Sequence, residues 1–506
     1  MVFSDLTFIY AFLPLCLLAY WLSRSIKVKN CVLLAASLLF YALCEPVYII
    51  IMLIAAGSAF GFAFLIDRFR GARASRVFLA VSVAVNISFL FVYKYAPLFV
   101  STAVGLFSLK IPIPRIHLPI GISFYTFQIL TYTIDVYRGK SKLQPSPLNF
   151  FLYVTMFPQL LAGPIVRYDD ISGQLENRYI NAERFASGIV RFTCGLGKKI
   201  LFADYAGGIA ESLLGVTPVG TAFIGEEGAQ GALHGIREGL GVAGGAFAAG
   251  AGAGGISTLC AWLGLLFFGF QVYFDFSGYS DMAIGLGRMF GFEYLENFKH
   301  PFSSKSITEF WRRWHISLGM FFRDYVYIPL GGNRRYQIRN IAVVWMLTGL
   351  WHGADWNFVL WGCYFGIILV LEKYLSKMIR LKLPAPVGWA CTFTVVTVSW
   401  AIFYFTDLAT VWDMLTAMFT YRPERNFQMT GIINENLFFL AVCLAAAMPW
   451  AKRLYTRAMY WGERKNGRAA AVVGSSLSLI YAAAMLFICS AVRVGSSFSP
   501  FLYFRF

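Results

Sequence analysis

The chain has 506 residues, of which 58% are hydrophobic and only 14% are charged, and its formal net charge is +17. Soluble domains usually carry about a quarter charged residues, so this composition excludes a soluble protein. The basic residues fall in short loops between apolar runs, which is typical of cytoplasmic loops beside an anionic lipid leaflet and argues against nucleic-acid binding.

Apolar runs of membrane-spanning length alternate with basic loops in the N-terminal part of the chain. The first run, residues 6–22, is followed by Arg24, Lys27 and Lys29 and preceded by no basic residue. Because cytoplasmic loops carry the excess of Lys and Arg, we expect an uncleaved first span with its N-terminus outside. A spanning helix needs about 20 apolar residues. Further spans are predicted at residues 31–43, 47–66 and 77–95.

The middle of the chain is apolar but interrupted. Residues 118–136 and 150–162 contain prolines and glycines, and proline breaks a helix by removing a backbone donor. Broken helices are tolerated at membrane depth only where protein or a cavity surrounds them, so we expect re-entrant or tilted helices here. A Gly/Ala-rich stretch at residues 239–255 is expected to form a loop, because glycine loses much entropy in a helix.

The C-terminal third returns to clear spans, predicted at residues 356–371, 387–405, 437–450 and 469–492. The basic linkers 372–382 and 452–468 are expected inside, and residues 407–436 outside. The sequence therefore predicts an all-α polytopic membrane protein with about 11 spans plus broken helices. We expect a single domain with five segments: N-terminal spans (1–110), broken helices (111–210), a Gly/Ala-rich insertion (211–256), a catalytic core (257–372) and C-terminal spans (373–506).

His352 is the centre of the first of three polar clusters in apolar surroundings. It lies in the sequence MLTGLWHGADWNFVLWG, within an almost uncharged stretch between residues 341 and 371. An ionisable group at membrane depth is costly, which favours a functional role. Imidazole exchanges a proton near neutral pH, so His352 is a candidate general base. The alternative is a buried structural histidine bonded to a carbonyl.

The second cluster, TEFWRRWHISLGMFFR at residues 308–323, predicts one amphipathic helix at the membrane interface. Thr308 would cap this helix, and its apolar face would contain Trp311, Trp314, Leu318 and Phe322. His315 is a candidate second base or substrate-positioning residue. Arg312 and Arg313 are candidates for phosphate binding, since guanidinium matches phosphate geometry. The alternative is a helix that only anchors the chain in the membrane.

The third cluster, QVYFDFSGYSDMAIGLGR, contains Asp275 and Asp281. Two carboxylates suggest metal or acid–base chemistry, but too few ligands surround them to predict a metal site. We prefer the interpretation that they hold basic or backbone groups in place. The nine scattered cysteines contain no CxxC pair, and no Walker loop, GxSxG or HExxH motif occurs.

Four long motifs resemble the membrane-bound O-acyltransferase superfamily, and within it the branch that O-acetylates bacterial alginate. They are GPIVRYDDI from Gly163, YFDFSGYSDMAIGLGRMFGF from Tyr273, FWRRWHISLGMFFRDYVYIPLGG from Phe310 and GLWHGADW from Gly349. The resemblance covers nearly the whole chain, although residues 210–255 are longer than the branch leads us to expect. It implies a ring of helices around a thinned centre, with a cytoplasmic funnel.

The resemblance also implies a chemistry. His352 of the WHG motif would be the catalytic residue and His315 of the RRWHISL motif the second important histidine. The donor would be acetyl-CoA, and the partner an extracytoplasmic acetyltransferase of the SGNH type that acts on a polysaccharide at the bacterial inner membrane. Candidate substrate-binding residues are Arg312, Arg313, Trp351, Asp275, Asp281 and Asn357.

Two questions stay open at this point. His352 could act as a general base or could itself become acetylated. The activity could also be that of the related teichoic-acid D-alanyl transfer proteins, or the chain could be a transporter or scaffold without chemistry, since broken helices and buried charges also suit transporters.

Overall fold

The computed structural model describes residues 1–114, 116–161, 163–215, 255–379, 383–495 and 502. All regular elements in these ranges are helices, which confirms the predicted all-α fold. Eight of the described helices are long and apolar enough to cross a membrane, and two shorter apolar helices occur at Phe8–Leu22 and Leu408–Phe419. Most of the Gly/Ala-rich insertion predicted at 211–256 lies outside the described residues.

Contacts divide the described chain into two compact units. The first contains Met1–Phe192, Ser280–Glu296 and Arg323–Tyr325, and the second contains Thr193–Tyr279, Asn297–Phe322 and Val326–Phe506. The expectation of one domain with five segments stays a prediction.

In the first unit, the predicted spans 31–43, 47–66 and 77–95 are helical or largely helical. The helices of this unit are α1 (Leu13–Leu22), α2 (Ile26–Cys44), α3 (Ile49–Arg68), α4 (Arg73–Leu90), α5 (Ala96–Phe107), α6 (Ile122–Tyr137), α7 (Pro147–Thr155), α8 (Phe157–Leu160) and α9 (Tyr168–Glu176). A π-helical turn at Phe91–Tyr95 joins α4 to α5, so that one apolar helical stretch runs over Arg73–Phe107.

The predicted interruption of the middle segment is present between α7 and α8. Met156 leaves helical geometry with ψ of 114°, directly before Phe157 and Pro158. The backbone N–H of Phe157, which the break frees, donates to the Ser37 hydroxyl at 3.1 Å. The Ser37 side chain therefore supplies the acceptor that this buried N–H group lacks within the helix.

Two long helices contribute residues to both units, namely α10 (Ala182–Gly197) and α12 (Thr258–Met289). The second unit also contains α11 (Asp204–Leu214), α13 (Ile307–Arg313), α14 (Ile316–Phe322), α15 (Gln337–His352), α16 (Trp356–Ile379), α17 (Ala385–Tyr404), α18 (Leu408–Phe419), α19 (Phe427–Ala447) and α20 (Trp450–Val494). Its core is rich in aromatic side chains from α12, α16 and α17. The predicted C-terminal spans are helical over most of their length, and the predicted span 437–450 is interrupted where α19 ends at Ala447.

Two C-terminal loops expected from the sequence are largely helical. Residues 407–436 contain α18, which Asp407 caps by accepting from the N–H of Thr410 at 2.9 Å, and they also contain the start of α19. The expected linker at 452–468 lies inside α20, which is 45 residues long. Lys, Arg and Glu are good helix formers, so charge alone does not end a helix.

Candidate active site around two histidines

His352 lies at the end of a tight helical hairpin formed by α15 and α16. It is the last residue of α15, and α16 begins four residues later. Two glycines bring the backbones into contact: a Cβ at Gly349 would lie 2.3 Å from the carbonyl oxygen of Phe358, and one at Gly362 would lie 2.3 Å from that of Trp345. Only glycine fits at such a crossing. The glycines of the motif thus fix the position of His352.

Aromatic rings enclose the imidazole of His352, which is 4% exposed. Its ring centroid lies 4.9 Å from Trp361, 5.0 Å from Trp351 and 5.6 Å from Phe403. The imidazole borders a cavity of about 10 Å³, close to the space that one water molecule needs. The residues that line this cavity are Val272, Asp275, Phe276, Trp314, His352, Trp361, Trp400, Phe403 and Leu502.

His315 occupies a break in the chain where the sequence predicted a continuous helix. Trp314 is extended, and His315 has a φ of +44°, so the predicted helix 308–323 is two short helices, α13 and α14. The expected single apolar face is therefore wrong. Asn297 holds the break open: its side-chain oxygen accepts from the N–H and the hydroxyl of Ser317 at 3.2 and 2.9 Å, and its carbonyl accepts from Ile316.

The break turns His315 into the protein interior beside the catalytic candidate. Its Nδ1 lies 3.3 Å from the side-chain oxygen of Asn297, and Trp351 is in ring contact with both histidines, 5.3 Å from His315 and 5.0 Å from His352. Burial lowers the pKa of His315, which lies outside the candidate spans, to about 3. The ring is therefore neutral at physiological pH and can position a neighbour or accept a hydrogen bond.

The start of α13 differs from the prediction. Ser306, not Thr308, is the N-cap residue and accepts from the N–H of Glu309 at 3.1 Å. The carboxylate of Glu372 on α16 accepts from the N–H groups of Ile307 and Thr308 at 2.6 and 3.1 Å. Two acceptors thus satisfy the free donors of this helix end, and Thr308 is left as an ordinary first-turn residue.

The two candidate arginines of α13 have different surroundings. Arg313 forms an ion pair with Glu309 at 2.6 Å and donates to the Ser303 hydroxyl at 2.8 Å. Arg312 is exposed. Of the two, Arg312 presents its guanidinium more openly.

Asp275 and Asp281 each hold a basic side chain, and they belong to different units. Asp275 forms an ion pair with Lys199 at 2.8 Å and accepts from the N–H of Leu502 at 2.7 Å. In the first unit, Asp281 accepts from Nε of Arg191 at 2.7 Å. Among the described residues, no group of three His, Cys, Asp or Glu side chains could hold a metal ion.

The remaining candidates, Trp351 and Asn357, do not line the cavity. Asn357 is fully buried, and its amide donates to the carbonyls of Ile402 and Phe403 at 3.2 and 3.4 Å. These bonds tie α16 to the end of α17, which also supplies Phe403 to the surroundings of His352. The structure thus shows Asn357 in a contact between helices, whereas Trp351 contacts both imidazoles.

Sequence reasoning missed two residues that shape the site. Lys199 is a buried lysine beside the cavity wall, and it could have been found as a basic residue followed by the apolar run ILFA. Asn297 is also fully buried, but it lies in an irregular segment without periodicity, and nothing in the sequence marks its contact with the His315 break.

Comparisons with known proteins place the chain among acyltransferases. The family model described as MBOAT, membrane-bound O-acyltransferase family, matches residues 11–210 and 255–411. The probable alginate O-acetylase AlgI of Azotobacter vinelandii is 35% identical, with both chains covered completely. A peptidoglycan O-acetyltransferase of Helicobacter pylori is 29% identical over 88% of this chain and 86% of its own. A teichoic acid D-alanyltransferase of Bacillus subtilis is 28% identical over 51% of this chain and 60% of its own.

Proposed function

This chain belongs to the membrane-bound O-acyltransferase family, and from that premise we propose that it takes an acetyl group from cytoplasmic acetyl-CoA and moves it across the bacterial inner membrane for O-acetylation of a polysaccharide. Family membership makes it a multi-pass membrane O-acyltransferase. The observation that carries the proposal is His352, a buried imidazole on the wall of a cavity among aromatic rings, within the part of the chain that the family model matches.

His352 is proposed as the general base. The hydroxyl oxygen of the acceptor attacks the carbonyl carbon of the thioester, the carbon–sulfur bond breaks, and the hydroxyl proton passes to His352 and then to the leaving thiolate. General-base catalysis of this kind contributes roughly 10²–10⁴-fold in rate. In the alternative route, His352 attacks the thioester and becomes acetylated before the acceptor arrives. Single-turnover experiments that trap an acetylated protein separate the two routes.

The surroundings of His352 suit either route. The rings of Trp361 and Phe403 exclude bulk water, which protects a thioester from hydrolysis. The neutral His315, whose ring contacts Trp351, is proposed to position the substrate or the catalytic ring. Arg312 is exposed and is proposed to attract the phosphates of the donor.

The acceptor side of the reaction is proposed from the relatives and the loop charges. The names of two relatives refer to O-acetylation of alginate and of peptidoglycan, which supports an extracytoplasmic polysaccharide as the final acceptor. An SGNH-type acetyltransferase outside the membrane is the proposed partner that completes the transfer. The basic loops support an orientation with the N-terminus outside.

D-alanyl transfer is the alternative within the family. The D-alanyltransferase relative covers about half of this chain, whereas the alginate O-acetylase relative covers all of it, and the difference favours acetyl transfer. Mass analysis of cell-envelope polymers decides between them, because an alanyl ester and an acetyl ester differ in mass. A transporter or scaffold would retain its effect on the polymer after loss of both His352 and His315.

The central test is His352→Ala in proteoliposomes or in a deletion strain, with polymer acetyl esters and thioester consumption as readouts. We expect loss of both, with normal membrane insertion. The matched control is His117→Ala, which removes a half-exposed histidine of the first unit that contacts Glu45. Acetylation that survives His352→Ala would remove this residue from the mechanism.

A further inference from the structure

The wall of the cavity beside His352 contains one carboxylate whose role the proposed mechanism leaves open. Asp275 projects from α12 and is 1% exposed. Asp275 and His352 are the only titratable residues among the described residues that line this cavity. A buried carboxylate is unfavourable unless it is paired, because water no longer solvates its charge.

Lys199 supplies that pairing from a separate element. A π-helical segment at Lys198–Ala203 follows α10 and turns the Lys199 side chain inward, where its ammonium lies 2.8 Å from Asp275 and 2.7 Å from Asp204. π-Helical insertions occur frequently at functional sites. Burial disfavours the ammonium, but the two carboxylates outweigh this effect and raise the pKa of Lys199 above its ordinary value.

The π-helical segment that carries Lys199 packs closely against α12. A Cβ at Gly278, on α12, would lie 2.7 Å from the carbonyl oxygen of Gly195 and 3.2 Å from the backbone nitrogen of Lys199. Glycine at this position lets the backbone that carries Lys199 lie against α12, three residues beyond Asp275. The backbone contact at Gly278 and the charge attraction between the side chains thus both hold Lys199 beside Asp275.

We propose that Lys199 is a positioning residue of the reaction: it keeps Asp275 ionised on the cavity wall, and this carboxylate stabilises the imidazolium that His352 becomes when it accepts the hydroxyl proton. The inference rests on the proposed function of His352. In a poorly hydrated cavity, a nearby negative charge favours the cationic form of an imidazole much more than it does in water.

Other titratable groups around His352 are placed differently. His315 contacts Trp351 and does not line the cavity, and Asp355, in the turn after His352, is exposed. From α16 and α17, the rings of Trp361 and Phe403 contact His352, and neither of these side chains titrates. Asp275 is therefore the group whose charge acts most directly on the catalytic ring.

The test measures acetyl transfer against pH in proteoliposomes for Lys199→Met, Asp275→Asn and the double variant. Each single change should lower the maximal rate by roughly tenfold to a hundredfold, at or below the low end of what proton-transfer groups contribute. Each should also move the acidic limb of the pH–rate profile, where the base becomes protonated, to lower pH. The double variant should be no slower than Asp275→Asn, because both residues act through one carboxylate.

Controls separate this role from a structural one. Lys305→Met removes an exposed lysine of the same unit and should leave the profile unchanged. A purely structural pair would lower the rate without moving the acidic limb, and that result would overturn the inference, as would additive effects in the double variant. Should Lys199→Met fail to accumulate because the buried Asp275 carboxylate has lost its cation, Asp275→Asn, in which Lys199 keeps Asp204, and the double variant, in which the Asp275 charge is absent, still report the position of the limb.

The same data distinguish the two proposals. If the wild-type protein transfers acetyl groups and His352→Ala does not, but the acidic limb stays in place in the variants, only the role of Lys199 is lost. If the wild-type protein transfers no acetyl group, the proposed function and this inference are both refuted.

Discussion

Gly349→Ala is a direct test of how the α15–α16 hairpin holds His352, the proposed general base. The added Cβ would lie 2.3 Å from the carbonyl oxygen of Phe358, whereas ordinary contacts begin near 3.4 Å. The two helices must therefore separate by roughly 1 Å to restore a normal van der Waals contact. Overpacking of this kind costs typically 1–3 kcal/mol. A displacement of about 1 Å at a catalytic group can cost about 10²-fold in rate.

The assay combines thermal unfolding of the detergent-solubilised protein with acetyl transfer in proteoliposomes. We expect a lower unfolding temperature and a larger relative loss of activity than of folded protein. Gly431→Ala is the matched control: it lies in α19 of the same unit, nothing lies within 4 Å of its added Cβ, and helix propensity predicts a small gain in stability. Equal behaviour of the two variants would refute the backbone-contact argument.

Asn297→Ala should destabilise the fold by about 1–3 kcal/mol, because it leaves the N–H of Ser317 without its acceptor at the His315 break; chemical unfolding of the variant measures this, and an unchanged midpoint would contradict it. A second prediction concerns pH: His315 has a pKa of about 3 in the fold, against 6.5 when unfolded, so the unfolded state binds the proton first and stability falls as pH decreases from about 6.5 towards 3. The slope should approach about 1.4 kcal/mol per pH unit and should be smaller in His315→Gln, as unfolding midpoints measured between pH 7 and pH 5 would show; an identical slope in the variant would argue against it.

The sequence predicted the membrane class and the positions of most spans, because a helix in lipid has to be apolar over a fixed length. It also predicted the interruption at Pro158, since proline cannot take part in a continuous helix. It did not predict α18, whose length of 12 residues is below that of a span. Hydropathy is a signal of spanning length and carries little information about shorter helices.

The site could be predicted only in part. The motif around His352 marks the residue itself, and its glycines mark a close approach, but the partner helix that they contact is not visible in the sequence. The break at Trp314 and His315 was missed because the apolar spacing of residues 308–323 fits a continuous helix. Hydrogen bonds that the N–H groups of Ile316 and Ser317 donate to Asn297 override that local preference. Such long-range bonds leave no periodic pattern.

The backbone contact within the hairpin limits which residues could be changed to make the protein accept a different acyl group. At Gly349 and Gly362, α15 and α16 meet at main-chain atoms, so these two crossings offer no side chain that could be shortened to make room beside His352. The rings of Trp361, Trp400 and Phe403 border the same cavity and can be replaced by smaller groups. A redesign towards longer acyl chains would begin with these rings and leave the hairpin as it is.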